Sequence, residues 1–216
     1  MSSDNEYAEE LTRNIWSEAR VILEGQSSGH SLQHSERVAE LCLRIAEKEK
    51  EADPLILQVA AILHDIGIPQ WGRKEHARRS AEIAGEILEK TGFPKEKREE
   101  VLYAIETHRF SDQKTPETVE ARILQDADRL DALGAIGIAR CFAFGGRENR
   151  RLYDPSETPN EYDPEREVSS LTHIREKLLK IKDNLHTENA RRIAEERHCF
   201  MLEFVERMTS EIEGKK

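Results

Sequence analysis

A helix-length run in the first third of the sequence is apolar on nearly every face. Residues 55–67 read LILQVAAILHDIG, and Asp53-Pro54 precedes them as a helix N-cap and a first-turn proline. A helix that is apolar all round lies in the interior of a protein. The run carries His64-Asp65 near its end. The two most polar residues of this segment therefore stand at one end of what should be the most buried element of the chain.

The rest of the chain has the composition and the periodicity of an all-α protein. Helix-forming residues dominate, and 37 % of the 216 residues are hydrophobic, which is enough to build a core. Because helical spacing of apolar residues recurs along the sequence, we predict a bundle of about seven to eight helices. One of them is expected to follow Thr115-Pro116 as a single long helix to about Phe144.

The length and the element pattern indicate a single helical domain over residues 1–216. Its core would span about residues 30–140, and the C-terminal helices would occupy residues 169–213. Between them, residues 145–168 contain three prolines and no helical stripe. A loop of this length in a compact domain is usually functional or disordered.

Charge, hydropathy and cysteine spacing exclude several classes of protein. The net charge of −10 repels a polyanionic backbone, so we expect no extended nucleic-acid partner. No apolar stretch approaches the ~20 residues that a bilayer span requires, so we expect no membrane association. The N-terminus is too acidic for a signal peptide, and Cys42, Cys141 and Cys199 form no CxxC pair. We therefore expect a cytoplasmic protein, and the apolar last helix leaves a homodimer open.

Three further histidines accompany the His64-Asp65 pair on inward helix faces. His34 lies on an apolar stripe, and His76 and His108 lie on the inward faces of two later helices. A lone inward histidine is more often a hydrogen-bonded core residue than a ligand. A buried ionised carboxylate, however, is costly without a partner, and imidazole with carboxylate suits ions of the Mn, Fe, Ni, Zn or Mg class. The combination predicts a divalent metal site.

A second carboxylate for this site should come from an acidic run, QDADRLD, at residues 125–131 of the predicted long helix. Helical periodicity does not choose between Asp126 and Asp128 as the inward residue. Asp131 lies close to the face of Asp128 and could orient a histidine ligand. The residues alone leave the last ligand open.

The order of these residues resembles the HD-domain phosphohydrolase superfamily, which is defined by the ligand order H…HD…D. The match covers nearly the whole chain, and QDADRLDALGAIGIAR at residues 125–140, with HIREKLL and TENAR further on, is similar to a compact bacterial and archaeal branch. The resemblance implies an HD-domain helical bundle. It also implies a divalent metal held by His34, His64, Asp65 and Asp128.

The extra histidines of this chain bear on the number of metal ions and on catalysis. In the superfamily, histidines after the HD pair can hold a second metal, and His76 and His108 stand at similar positions. As catalytic residues we therefore expect Asp65, His76 and His108. Asp65 could take a proton from the attacking water, and the two histidines could bind a second ion, contact phosphate or protonate the leaving group.

The resemblance implies hydrolysis of a phosphate ester or phosphoanhydride, with a nucleotide as the leading small phosphorylated substrate. Two alternatives are a phosphodiesterase acting on a cyclic or signalling nucleotide and a non-catalytic, metal-containing HD domain that binds a ligand. A metal-dependent oxygenase on the same fold is a further option. The cations expected to contact substrate phosphates are Arg129, Lys177, Arg147 and Arg151, with Arg73, Lys74, Arg109 and Arg150 as further candidates.

Overall fold

Every regular secondary-structure element that the structure describes is a helix. The computed structural model describes residues 2–24, 31–109 and 115–215, and for residues 2–5, 73 and 74 it describes the backbone alone. These ranges contain nine α-helices, one 3₁₀ helix and no strand. The all-α prediction is confirmed, and the helix count is slightly above the seven to eight expected. No helix within these ranges has both the length and the apolar character needed to cross a membrane.

The described residues divide into two compact units, of which the first ends at Asp128 and the second begins at Arg129. The single domain expected over residues 1–216 stays a prediction. The helices are α1 (Ser2–Leu23), α2 (Leu32–Ala46), α3 (Pro54–Leu63), α4 (Ile68–Lys90), α5 (Lys95–Thr107), α6 (Val119–Asp131), α7 (Gly134–Arg147), α8 (Ser170–Glu176), the 3₁₀ helix (Leu178–Asn184) and α9 (Glu188–Ile212).

The apolar helix α3 lies inside the first unit, as its sequence predicts. Seven of its ten residues are buried. Helices α1, α2, α4 and α5 all pack against it. Because α3 has neighbours on several sides, an amphipathic sequence would place polar groups against apolar ones, which explains its nearly uniform apolar composition.

The N-terminal end of α3 is fixed by a network of polar bonds around Asp53. The Asp53 carboxylate accepts bonds from the backbone N–H of Leu55, at 2.9 Å, and of Ile56, at 3.4 Å. Lys97 at the start of α5 donates to the other oxygen of that carboxylate, at 2.6 Å. The backbone N–H of Asp53 donates to the Glu120 carboxylate on α6, at 2.9 Å. Three helices therefore meet at one capping residue.

The predicted single helix over α6 and α7 is wrong. The first helix ends at Asp131, and the second begins at Gly134, whose φ of 72° lies in the left-handed region that favours glycine. A Cβ on Gly137 would overlap the carbonyl oxygen of Ala132, so only glycine allows this close turn. Arg140 donates to the buried Asp131 carboxylate at 2.5 Å and to its carbonyl oxygen at 3.2 Å, which stabilises the break.

The irregular segment of the second unit begins at residue 148, because α7 continues to Arg147. It is held by two acidic residues. Glu176 of α8 is buried and accepts bonds from Arg166, at 2.9 Å, and from the backbone N–H of Asn160, at 2.8 Å. Glu157 accepts from the hydroxyl of Ser169 at 2.7 Å. The segment therefore has fixed contacts although it has no regular secondary structure.

Replacing Asp53 tests the capping network. We expect Asp53→Ala to lower the free energy of unfolding by about 1 kcal/mol, the usual cost of a lost N-cap. Asp53→Asn should cost less, because asparagine still caps but cannot pair with the Lys97 ammonium. Urea denaturation measures both, with the exposed residue Asp183 changed to alanine as the control. An Asp53→Ala variant as stable as this control would contradict the assignment.

The same network should weaken in acid. Burial opposes ionisation of Asp53, but the bonds from Lys97 and the two backbone N–H groups prevail and hold the pKa of this carboxyl below its usual 3.8. A carboxyl with a lowered pKa stabilises the fold above its unfolded-state pKa and loses this contribution as the pH falls through the folded value. The stability difference between wild type and Asp53→Ala should therefore shrink below about pH 4.

Candidate metal centre

The end of α3 delivers His64 and Asp65 into the interior of the first unit. His64 is fully buried, and Asp65 is 2 % exposed. The His64 Nδ1 atom lies 2.8 Å from the carbonyl oxygen of Ala61, one turn earlier. Because a carbonyl only accepts, Nδ1 is the donor and carries the proton. The Nε2 atom of His64 is therefore left with a lone pair that can bind a proton or a metal ion.

The turn after this pair packs directly on α4. The N–H of Gly67 donates to the hydroxyl of Ser80 at 2.9 Å. A Cβ at position 67 would stand 2.9 Å from the backbone N of Ser80 and 3.0 Å from the carbonyl oxygen of His76. The φ angle of Gly67 is −81°, which any residue can adopt. The reason for glycine at this position is therefore the lack of space for a side chain and not the backbone conformation. No sequence pattern pointed to this contact, although the four-residue spacing of His76 and Ser80 places both on one face of α4.

The first ligand group surrounds the Nε2 atom of His34 on α2. This atom lies 3.2 Å from His64 Nε2, 3.4 Å from Asp65 Oδ2 and 3.3 Å from Asp128 Oδ1. His64 Nε2 lies 3.4 Å from the same Asp65 oxygen. Of the two aspartates left open by periodicity, Asp128 has this distance to His34, which favours it as the later ligand. Asp126 is also buried.

The second ligand group faces the other oxygen of the same carboxylate. Asp65 Oδ1 lies 3.3 Å from His76 Nε2 and 3.5 Å from His108 Nε2. The two histidine nitrogens are 3.0 Å apart. His108 Nδ1 bonds the carbonyl oxygen of Ile105 at 2.6 Å, so its Nε2 also carries a lone pair. The carboxylate of Asp65 is thus shared between two groups of imidazole nitrogens.

These distances fit cations better than hydrogen bonds between neutral side chains. A neutral imidazole whose Nδ1 carries the proton can only accept at Nε2, and here such nitrogens lie beside other nitrogens and carboxylate oxygens. Ligand atoms about 2.1 Å from one octahedral ion stand roughly 3 Å apart. The separations of 3.0–3.5 Å in both groups are close to that value. Either group, His34–His64–Asp65 or Asp65–His76–His108, could hold a metal ion.

The electrostatic field at both groups favours positive charge. Burial opposes ionisation of Asp128, but the hydrogen bond and charge of His34, with the nearby His64, hold the pKa of this carboxyl well below its usual range. Burial likewise opposes protonation of His108, yet the carboxylates of Asp65 and Asp128 raise its pKa above the usual value. A divalent cation would experience the same attraction as the proton does.

Two of the expected phosphate-binding cations have partners within the second unit. Arg129 donates to the carbonyl oxygen of Asn184, and its guanidinium lies 3.1 Å from His186 Nε2. The ammonium of Lys177 lies 4.8 Å from the centre of the Tyr162 ring, which is a cation–π contact. Their roles in substrate binding stay predictions.

The other two expected cations form local ion pairs. Arg147 pairs with Glu148 at 2.8 Å, and Arg151 pairs with Asp154. Both arginine side chains are mostly exposed, so these pairs contribute little to stability and leave the cations accessible to a ligand. Their roles also stay predictions. The side chains of Arg73 and Lys74 lie outside the described part of the chain.

Comparison with known proteins shows that the chain belongs to the HD superfamily. A family model for the HD domain matches residues 31–133. The chain is 40 % identical over 200 residues to YpgQ of Bacillus subtilis (strain 168), described as an uncharacterized protein, and the alignment covers 89 % of each chain. The structure of an HD-superfamily hydrolase from Bacillus thuringiensis is similar with a TM-score of 0.76 and 34 % identity, over 95 % of this chain and 98 % of that one.

A second solved structure concerns the same curated relative. The crystal structure of Bacillus subtilis YpgQ in complex with ADP has a TM-score of 0.72 to this chain. The superposition covers 94 % of this chain and 96 % of YpgQ, at 31 % identity. The similarity therefore extends through both units and is not confined to the histidine groups.

Replacing Gly67 tests how the turn positions the ligands. Gly67→Ala should lower the free energy of unfolding by about 1–3 kcal/mol, because its methyl group meets the α4 backbone. It should also reduce the affinity for Mn²⁺, since the turn carries Asp65 and α4 carries His76. Thermal melts and equilibrium dialysis against Mn²⁺ give the two values. The matched control is Gly85→Ala on α4, where the added Cβ would meet only Leu102 at 3.9 Å. Equal behaviour of the two variants would contradict the assignment.

Proposed function

We propose that this chain uses two divalent ions to hydrolyse a phosphoanhydride or phosphate ester bond of a nucleotide. The chain belongs to the HD superfamily of metal-dependent phosphohydrolases. The observation that carries this proposal is the shared carboxylate of Asp65. One of its oxygens faces His34 and His64, and the other faces His76 and His108. These residues would hold one divalent ion on each side of Asp65, and two-metal sites are typical of enzymes that cleave phosphoester bonds.

The ligand set suits the ions expected from the sequence. Both groups offer imidazole nitrogen and carboxylate oxygen, and neither contains a thiolate. Such donors accept Mn²⁺, Fe²⁺, Zn²⁺ or Ni²⁺, and Mg²⁺ less readily. Each group supplies fewer than six protein donors, which leaves positions for water and for phosphoryl oxygens. When bound, a divalent ion lowers the pKa of a coordinated water and polarises a phosphoryl oxygen.

The residues of the chain orient and shield this site. The Nδ1–carbonyl bonds of His64 and His108 fix the tautomers, so both Nε2 atoms point to Asp65. His34 and His64 are fully buried, so bulk water is excluded around them. The attraction between a bound metal ion and the negative phosphate would be stronger there than in water. The Asp128 side chain is 31 % exposed, against 0–9 % for the other members. A phosphate would therefore approach the site beside Asp128.

A nucleotide is the proposed substrate for two reasons. YpgQ of Bacillus subtilis, which is similar over almost its whole length, has been crystallised with ADP. The net charge of −10 disfavours a polynucleotide but does not prevent binding of a small phosphate at a metal site. A nucleotidase and a nucleoside triphosphate pyrophosphohydrolase are the two activities that fit a nucleotide with a phosphate bound by metal.

The three cysteines support a cytoplasmic location. Cys42, Cys141 and Cys199 are all free thiols, as is usual in the reducing cytoplasm. Burial raises the pKa of the Cys141 thiol to about 11, so it is not reactive at neutral pH.

Phe200 and Leu202 on α9 are each nearly half exposed, and the homodimer suggested by this apolar helix stays a prediction.

A substrate screen with a ligand variant tests the proposed function. Wild-type protein, treated with chelator and reloaded with Mn²⁺, should release phosphate or pyrophosphate from nucleoside di- or triphosphates. His64→Ala should lower kcat/KM at least about 100-fold, because a lost ligand should cost no less than a lost outer-shell partner. The matched control is His198→Ala on α9, which should retain full activity. Cyclic nucleotides in the same screen test the phosphodiesterase alternative.

Two results of this screen would contradict the proposal. Activity that survives unchanged in His64→Ala would show that the buried histidine groups are not the reacting site. Binding of Mn²⁺ without hydrolysis of any phosphate compound would favour the non-catalytic, ligand-binding alternative.

A further inference from the structure

We propose that Gln125 is a positioning residue for His108, and that it acts through the last turn of α5. The proposal rests on the function proposed above, because it assigns Gln125 to the second ligand group, Asp65–His76–His108. Gln125 belongs to no metal-binding pattern, and a neutral side-chain amide is a weak ligand for divalent transition-metal ions. The observation that carries the proposal is a long-range hydrogen bond between α6 and α5.

That contact is short and fully buried. The side-chain amide of Gln125 donates to the carbonyl oxygen of Thr107 at 2.6 Å. Gln125 is 0 % exposed and Thr107 is 6 % exposed. Thr107 is the last residue of α5, and the last carbonyls of a helix accept no bond from the helix itself. The amide therefore satisfies a buried backbone group that α5 cannot satisfy itself.

The position of the His108 ring depends on the same turn. His108 is the residue that follows Thr107 and ends α5 in a helical conformation, with φ −66° and ψ −24°. Its ring is held by the Ile105 carbonyl oxygen at 2.6 Å, within the last turn. Its backbone N–H reaches the same carbonyl only at 3.5 Å, which is a weak bond. A shift of this turn would therefore carry the Nε2 atom away from Asp65 and His76.

Gln125 also connects the two ligand groups through α6. Asp128, whose carboxylate lies 3.3 Å from His34 of the first group, follows Gln125 by three residues on this helix. Residues with this spacing are neighbours on a helix surface. Helix α6 thus supplies a carboxylate to the first group while it holds the turn that carries His108 of the second. The helix therefore fixes the distance between the Asp128 carboxylate and the side chain that binds the turn of His108.

A merely structural role for Gln125 predicts a different result from a positioning role. If the amide only satisfied the Thr107 carbonyl, its loss would lower the stability of the fold. Both metal affinities would then stay unchanged or fall by the same factor. If it positions His108, its loss should weaken metal binding at the second group alone. Loss of an outer-shell partner of a ligand typically lowers metal affinity about 10–100-fold.

The experiment is a titration of metal-free protein with Mn²⁺, in which free Mn²⁺ is measured by electron paramagnetic resonance. The variants Q125M and Q125L remove the donor and keep a side chain of similar size, so one stays measurable if the other does not fold. The control is Val101→Ala in the core of α5, where a fully buried side chain is shortened without a change at Thr107. His76→Ala identifies the binding step that belongs to the second group.

Wild type should bind two Mn²⁺ ions, and His76→Ala should lose one of them. We expect Q125M or Q125L to weaken that same step at least about 10-fold and to leave the other step within about twofold. Val101→Ala should retain both steps despite its lower stability. Wild-type affinities in the Gln125 variants, or equal weakening of both steps, would overturn the assignment of Gln125 alone. Failure of wild type to bind two ions would overturn the proposed function as well.

Discussion

The buried carboxylate of Asp65 is the constraint on which the site depends. An ionised carboxylate with 2 % exposure is costly unless it meets positive charge, and here imidazole nitrogens lie beside both of its oxygens at 3.3–3.5 Å. Divalent cations between these atoms would stabilise the carboxylate and the imidazole lone pairs together. Because α3 packs against α2, α4 and α5, the carboxylate that follows its end lies within reach of histidines from all three helices.

Much of this arrangement could be predicted from the sequence, because burial leaves a periodic signal. The apolar run of α3 predicts an interior helix, and the apolar stripes around His34, His76 and His108 predict inward side chains. The structure confirms that these three histidines and the His64-Asp65 pair are buried. The all-α class is confirmed for the same reason, since each helix records its buried face in the spacing of its apolar residues.

The features that were missed depend on contacts between residues distant in sequence or on backbone geometry. The break between α6 and α7 depends on the backbone at Gly134 and Gly137, which the spacing of apolar residues does not reveal. The Gly67–Ser80 bond and the Gln125–Thr107 bond join different helices, and periodicity within one helix does not reveal its partner. The expected phosphate-binding cations lie in no pattern that distinguishes them from other surface arginines and lysines. The distance to His34 that favours Asp128 over Asp126 as a ligand is not contained in helical periodicity.

We propose that each oxygen of the Asp65 carboxylate binds its own divalent ion. A crystal structure of the Mn²⁺-loaded protein, with anomalous diffraction data, would locate both ions. We expect two anomalous peaks, each about 2.1 Å from a different oxygen of Asp65, one beside His34 and His64 and the other beside His76 and His108. A single peak, or two peaks of which either lies beyond bonding distance of Asp65, would contradict the claim.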